Sequence, residues 1–172
     1  MNKALFLTLT IILLFSAPSP AANNVVVIPL QGNSGGIFLE NRLIDTTGDP
    51  TWNRPYLVGE TCYLSGVTTA VPYEYFRIEV LKTGQYIFEA GWDFNGYLLL
   101  YHKVEPPDFE ICTGLVATSS TYMGSVNRSR IEYTLQKGNI YGIVATGYTN
   151  ADDGFGVITI AGPQDGFVSY FP

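Results

Sequence analysis

The chain has 172 residues, a formal net charge of −6 and only 14% charged residues. This length supports one domain with a hydrophobic core, and the acidic balance argues against nucleic acid, whose phosphates attract lysine and arginine. The abundance of Gly, Tyr, Phe and β-branched residues favours a rigid all-β domain over helices or disorder.

The N-terminus has the pattern of a secretory signal peptide. Lys3 precedes an apolar run from Ala4 to Ala17, and small residues up to Ala21 fit a signal-peptidase site. The run is too short for a stable membrane span. We therefore predict a signal peptide over 1–22, a secreted or periplasmic location, and no membrane span once the signal is removed.

The next segment, 23–60, is predicted to hold an N-terminal strand and an irregular extension. Val25 to Leu30 is a compact apolar run containing Pro29, which is typical of an edge strand. The remainder is irregular and rich in Gly, Asn, Asp and Pro, with one short strand expected around Ile37 to Leu39. Residues 61–172 are predicted to form a β-sandwich that packs with the N-terminal strand as one domain.

The middle of the chain shows alternation typical of half-buried strands. Phe76, Ile78 and Val80 alternate with polar residues, and Tyr86 and Phe88 are expected to face the core. Five strands are predicted here: Thr61 to Leu64, Tyr73 to Leu81, Gln85 to Ala90, Tyr97 to His102, and Ile111 to Thr118.

The stretch from Ile131 to Pro163 contains three short apolar segments separated by turns at Gln136-Lys137-Gly138 and at residues 150–154. The middle segment, Ile140 to Thr146, is nearly all apolar, as expected of a strand covered on both faces. We interpret the stretch as a β meander, and Phe167 to Phe171 as a last edge strand.

One weak internal echo accompanies these strands, since Leu81 to Tyr86 resembles Leu135 to Tyr141 and both look like hairpin turns. No long helical period follows the signal. About eight to ten strands at short spacing predict an all-β fold, a two-sheet antiparallel β-sandwich with jelly-roll-like connections.

Cys62 and Cys112 are the two cysteines of the chain. An even number in an exported protein predicts a disulfide, which the chain-entropy model values at about 4 kcal/mol for a loop of this length. A metal site is a weaker hypothesis, because neither cysteine has a His or a second Cys at ligand spacing.

Several segments together resemble a known family. They are Phe76 to Val80 with Gly84-Gln85-Tyr86, Trp92 to Tyr101, Asn127 to Ile131, and Ile160-Ala161-Gly162-Pro163. In order and spacing they resemble the bacterial pre-peptidase C-terminal (PPC) domain, from Tyr73 to Pro163. The resemblance implies a jelly-roll β-sandwich that accompanies secreted proteases and is not itself catalytic. Relatives fused to collagen-degrading enzymes bind matrix proteins and calcium.

Two departures from that family limit what the resemblance implies. Family members often carry an Asp pair before the Ser-Arg-Ile segment, whereas Ala117 to Ser120 contains no acid, which weakens the case for calcium. The chain also contains no peptidase. Asp93, Asp152 and Asp153 in turns are the residues that could bind calcium, although aspartate is common in turns without a metal. We expect no cofactor and no metal, with calcium as the alternative.

No catalytic residues are predicted. Gly32 to Gly36 resembles the segment around a trypsin-like serine, but the chain's one histidine, His102, follows it in the wrong order. One histidine cannot build a typical zinc site, and no nucleophile can be paired with it. An Asn127-Arg128-Ser129 glycosylation triplet is uninformative in a bacterial host.

The sequence therefore predicts a secreted, non-catalytic β-sandwich that binds a protein or glycan partner or supports an exported assembly. Most aromatic side chains are expected to lie in the core or in strand pairs, whereas an exposed row of them could stack on sugar rings or bind a protein partner. Two alternatives stay open: a secreted hydrolase that pairs Asp93 with Glu89 or Asp108, and a small outer-membrane β-barrel. The aromatic candidates are Trp52, Trp92, Tyr97, Tyr101, Tyr122, Tyr148, Tyr170 and Phe171.

Overall fold

A computed structural model describes residues 26–27, 37–66, 68–102 and 111–170, without the side chains of 26–27, 37–42 and 168–170. The predicted signal peptide, the Gly32 to Gly36 segment and Asp108 lie outside these residues.

In the ranges just given, no helix is both long enough and apolar enough to cross a membrane.

The described residues form thirteen β-strands and no α-helix. In chain order they are β1 (Val26–Val27), β2 (Ile37–Asp45), β3 (Thr51–Trp52), β4 (Pro55–Val58), β5 (Thr61–Leu64), β6 (Val71–Val80), β7 (Gly84–Trp92), β8 (Gly96–His102), β9 (Leu115–Ser119), β10 (Arg128–Leu135), β11 (Ile140–Gly147), β12 (Phe155–Pro163) and β13 (Phe167–Tyr170).

The strands form two main antiparallel sheets. The first has the order β1-β2-β12-β7-β10, and the second has the order β13-β6-β11-β8-β9 with β3 also paired to β6. Strands β4 and β5 form a separate hairpin. Large side chains from both sheets share one buried core, so the predicted two-sheet antiparallel β-sandwich is confirmed. Core members include Ile44, Phe76, Tyr86, Phe88, Leu98, Leu100, Ile143, Ile158 and Ile160.

Trp92 shows how closely the two layers pack. A Cβ added at Gly156, in the first sheet, would lie 2.2 Å from the Trp92 ring. One added at Gly96, in the second sheet, would lie 2.3 Å from the ring. The indole N–H donates to Ser129 Oγ at 3.0 Å. The ring therefore needs glycine on both sides to fill the space between the sheets.

The predicted β meander is wrong, although all three of its strands exist. Strands β10 and β12 lie in the first sheet with β7 between them, and β11 lies in the second sheet between β6 and β8. Turn residues determine where the chain reverses. Whether it returns in the same sheet or crosses to the opposite one depends on which apolar faces pack together.

The two echoed turns are likewise arches between the sheets and not hairpins. The arch from β6 to β7 and the arch from β10 to β11 lie side by side, because β7 pairs with β10 and β6 pairs with β11. Lys137 N donates to Thr83 Oγ1 at 2.9 Å, and Gly138 N donates to Val80 O at 2.8 Å. The sequence echo thus marks two neighbouring crossovers at one end of the sandwich.

Three predicted strands differ in extent or place. Strand β2 has nine residues where a short strand around Ile37 to Leu39 was predicted, and its register with β12 runs from Ile37 to Asp45. The polar Glu40-Asn41-Arg42 interrupts its apolar pattern in the sequence. Strand β9 begins at Leu115, so Cys112 precedes it in a turn. In the N-terminal run, Val26 and Val27 pair with β2 at the sheet edge.

The second sheet is covered on its outer face as well as on its core face. The segment from Thr51 to Leu64, which contains β3 and the β4–β5 hairpin, packs over it, with Trp52 buried against Tyr97, Leu99 and Val144. This confirms that β11 is covered on both faces. Within the described ranges the first sheet has no such cover, and Leu43, Phe155 and Val157 are exposed on it.

Candidate binding cleft

A row of side-chain positions crosses the open face of the first sheet. The register pairs Val157 of β12 with Leu43 of β2 on one side and with Gly91 of β7 on the other. Gly91 in turn pairs with Arg128 of β10. Neighbouring strands lie about 4.8 Å apart, so this row is about 14 Å long. Leu43 is 57% exposed and Val157 is 39% exposed, which leaves an apolar strip on the surface.

Gly91 forms the floor of a cleft along this row. No heavy atom lies within 4 Å of a Cβ built at this glycine, so open space stands above the strand. The side chains at the neighbouring positions rise on either side of it. The cleft has a volume of about 930 Å³, enough for several residues or sugar units. Its lining also includes Ile44, Thr47, Trp92, Ser125, Asn127 and Gly156.

Phe155 extends the apolar strip toward the end of the sandwich and is 61% exposed. Its backbone N–H donates to Asp93 Oδ1 at 2.8 Å, and Asp93 N donates to Phe155 O at 3.0 Å. These two bonds fasten the first residue of β12 to the end of β7. The exposed aromatic side chain therefore stands on a fixed backbone.

One end of the cleft is acidic. Asp45 ends β2, Asp49 follows in the next turn, and Glu74 reaches over from β6 of the second sheet. Glu74 Oε2 accepts a hydrogen bond from Asp45 N at 3.1 Å, and Asp45 Oδ1 accepts one from Thr47 N at 3.0 Å. These bonds hold two carboxylates beside Asp49.

Burial and the two neighbouring carboxylates change the acidity of Asp49. Burial, followed by repulsion from Glu74 and Asp45, raises the pKa of Asp49 to about 6. A positive charge brought to this place would relieve the repulsion. The acidic end therefore favours a cationic group of a ligand.

The other end of the cleft is basic. Arg128 is exposed, and no acidic side chain of the described segments forms an ion pair with it. Its neighbour Asn127 is fixed, because Asn127 Nδ2 donates to Trp92 O at 3.2 Å. In contrast, Arg130, further along β10, is paired with Glu89 at 3.2 Å and also with Glu132. Arg128 is thus a cation available for an anionic group of a ligand.

Two of the three turn aspartates that were candidates for calcium, Asp93 and Asp152, have structural partners. Asp93 accepts the Phe155 N–H described above, and Asp152 Oδ2 accepts from Thr149 N at 2.7 Å and from Thr149 Oγ1 at 2.6 Å. Asp153 is exposed in the same turn. Where side chains are described, no group of three or more His, Cys, Asp or Glu is placed to hold a metal.

The carboxylate pair suggested for a hydrolase is engaged with separate partners. Asp93 bonds to the start of β12, and Glu89 forms an ion pair with Arg130 on the outer face of the sheet. His102 lies at the end of β8, stacked on Tyr141 with ring centres 5.0 Å apart. Its Nε2 is buried without a partner in the part of the chain described.

Most of the aromatic candidates belong to the interior. Trp52, Trp92, Tyr97 and Tyr101 are buried, and Tyr148 is 42% exposed. Tyr122 is half-buried, and its hydroxyl accepts from Arg130 Nη1 at 3.2 Å. The Tyr170 side chain and Phe171 lie outside the described residues. The exposed aromatic residue of the cleft is Phe155, which was assigned only to a strand.

The predicted disulfide is confirmed. Cys62 and Cys112 are bonded, with Sγ atoms 2.01 Å apart and Cα atoms 5.7 Å apart. The bond joins the β4–β5 hairpin to the turn before β9. It lies away from the residues that line the cleft.

The cleft could not be predicted from the sequence, because its residues come from five separate strands and two loops. One local signal existed, because β12 carries apolar residues on both of its faces. Phe155 and Val157 face outward, while Ile158 and Ile160 face the core. A strand that is apolar on both faces is either covered twice or exposes an apolar strip. Only the register shows which neighbours complete that strip.

Comparison of the chain with protein-family models gives no match, and comparison with curated proteins gives none. The resemblance to the PPC domain stays a prediction based on the segments quoted above.

Proposed function

We propose that this protein is an exported, non-catalytic β-sandwich module that binds a partner protein through the cleft on its first sheet. The observation that carries this proposal is the apolar strip of Leu43, Val157 and Phe155 on the one sheet face that has no cover among the described residues. Exposed apolar surface of this kind, rimmed by charged groups, is typical of an interaction site.

A protein partner fits the cleft better than a glycan does. Sugar rings are held by flat, exposed aromatic faces, and two of the cleft's apolar residues are the aliphatic Leu43 and Val157. Trp92 lines the cleft but is only 6% exposed. Aliphatic strips between charged groups suit the mixed side chains of a polypeptide.

The test compares three forms of the mature protein immobilised on a resin and exposed to the exported proteins of its own organism. We expect wild type to retain specific proteins, and Val157→Lys to lose them because it places a charge in the apolar strip. Ile140→Lys is the matched control, since Ile140 is similarly exposed but lies by the arches at the opposite end. Equal retention by all three forms, or binding to a glycan array with no protein retained, contradicts the proposal.

A second candidate, a hydrolase with a carboxylate site, is favoured by one observation. Asp49, with its pKa raised to about 6, sits beside Glu74 and Asp45 in the cleft, and such a carboxyl can exchange protons near neutral pH. Turnover of peptide or glycoside substrates by wild type, abolished in Asp49→Asn, would favour this candidate. We expect no turnover.

A further inference from the structure

The two ends of the cleft differ in charge, and this difference restricts the partner segment. The row from Leu43 to Arg128 spans about 14 Å across the sheet. Its β2 end adjoins the carboxylates of Asp45, Asp49 and Glu74, and its β10 end is the guanidinium of Arg128. Between the two ends lie the apolar strip and, beside it, the open floor at Gly91.

We propose that the cleft recognises an extended segment of a partner polypeptide in which a basic and an acidic side chain flank apolar residues and lie four positions apart. This inference rests on the proposed function and specifies its ligand. An extended chain advances about 3.3 Å per residue, so four steps cover the length of the row. The basic side chain meets the acidic end, and the acidic side chain meets Arg128.

Charge complementarity is the argument for this occupant. A basic group at the β2 end relieves the repulsion among the neighbouring carboxylates of Asp45, Asp49 and Glu74. Burial and then this repulsion raise the pKa of Asp49. Arg128 offers a planar cation that bonds well to a carboxylate. Such flanking charges fix the register and the orientation of a bound segment, while the apolar strip supplies burial.

The test uses two capped synthetic peptides of identical composition. In Gly-Lys-Val-Leu-Val-Asp-Gly the charges are four positions apart, and in Gly-Val-Leu-Lys-Asp-Val-Gly they are adjacent. Titrations followed by nuclear magnetic resonance should give the first peptide a dissociation constant below about 1 mM and a value at least tenfold lower than that of the second. Shifted amides should centre on Gly91 and Val157.

A charge reversal tests the orientation. Arg128→Glu should weaken binding of the first peptide at least tenfold and strengthen binding of the peptide Gly-Lys-Val-Leu-Val-Lys-Gly by a similar factor. Lys137→Glu, which makes the same change of charge at the distant arch, is the matched control and should alter neither value. Equal affinity for the two peptides of identical composition, or no effect of Arg128→Glu, overturns the inference.

The outcomes separate this inference from the proposed function. If the peptides fail while Val157→Lys still abolishes retention of exported proteins, the cleft binds proteins by another pattern, and only the inference falls. If neither peptides nor exported proteins bind, the proposed function fails as well.

Discussion

Arg54 shows how a single residue can hold a loop segment onto a sheet. It is 4% exposed, and its guanidinium carbon lies 4.0 Å from the centre of the Tyr97 ring and 5.0 Å from that of Tyr148. Its Nη2 donates to Tyr148 O at 3.2 Å, while Nε has no partner in the described part of the chain. Burial lowers the pKa of Arg54, and the two tyrosines oppose that effect. The rings take the place of a carboxylate partner.

Arg54→Lys is expected to lower the free energy of unfolding by about 2 kcal/mol, because an ammonium group cannot stack on both rings and reach Tyr148 O. Urea denaturation of the protein without its predicted signal peptide measures this. Arg128→Lys is the matched control, since that side chain is exposed on the open sheet, and should change stability by less than about 0.5 kcal/mol. Equal midpoints for the two variants would contradict the role given to Arg54.

The raised pKa of Asp49 predicts a pH dependence of stability. The folded state binds the proton more tightly than the unfolded chain, so the contribution of Asp49 is fully present below about pH 4 and is lost as the pH rises through about 6. The Asp49→Asn variant lacks this loss. We expect it to gain about 1 kcal/mol over wild type between pH 4 and pH 7, a value reduced by solvent screening of a partly exposed group.

Denaturation curves at several pH values test this prediction. Asp153→Asn, at an exposed position in a turn, is the control and should leave the pH dependence of wild type unchanged. If Asp49→Asn follows wild type across this range, then neither burial nor the charges of Glu74 and Asp45 raise the pKa of Asp49 in the folded state.

Among the secondary-structure elements, the positions of the strands could be predicted from the sequence, but the neighbours with which each strand pairs could not. The alternation in β6 and β7 follows from a two-residue period that any half-buried strand shows. The pairing of β7 with β10 and β12 depends on arches that cross between the sheets. Gly156 of the first sheet and Gly96 of the second sheet make room for the Trp92 ring between the two sheets.

Two glycines of the first sheet should therefore respond differently to the same change. Gly156→Ala would place a Cβ 2.2 Å from the Trp92 ring and is expected to cost about 3 kcal/mol of stability, because the ring is enclosed by both sheets. Gly91→Ala meets open space and should change stability by less than about 0.5 kcal/mol. The added methyl group of Gly91→Ala instead occupies part of the open space above the floor of the cleft.

Urea denaturation measures the stability change of both variants. The peptide titration measures the effect of Gly91→Ala on binding in the cleft. Weaker peptide binding with unchanged stability would agree with a floor at Gly91. Comparable losses of stability in the two variants would mean that Trp92 can move aside, contrary to the packing described.

At the scale of the whole molecule, the two sheets have different environments. The second sheet is covered by the segment from Thr51 to Leu64, which is held by Arg54, by Trp52 and by the disulfide. The described residues leave the first sheet open, and its exposed face contains the cleft. We therefore propose that the covered face stabilises the fold and that the open face binds a partner.

Removal of the disulfide is expected to destabilise the protein without rearranging the core. The bond between Cys62 and Cys112 closes a 50-residue separation, for which the chain-entropy model gives about 4 kcal/mol. For a domain of this size the melting temperature should fall by about 8–16 °C. Calorimetry of wild type and of the double Cys→Ser variant measures the change. Below its melting transition, the variant should keep the aromatic circular dichroism spectrum of wild type, which shows that the core is not rearranged.

Reductant added to wild type is the parallel test, and the double variant, which has no disulfide, should not respond to it. If the melting temperature of wild type is the same with and without reductant, the disulfide does not contribute to the stability of the protein.

The all-β class, the positions of most strands and the disulfide partners could be predicted from the sequence, because they depend on local periodicity and on a single pair of cysteines. The sheet order, the length of β2 and the cleft became known only from the folded molecule. Leu43, Gly91, Arg128 and Val157 are distant in the chain and become neighbours only through strand register. A register is set by packing of the whole core, so no local pattern can reveal which outward residues will share a face.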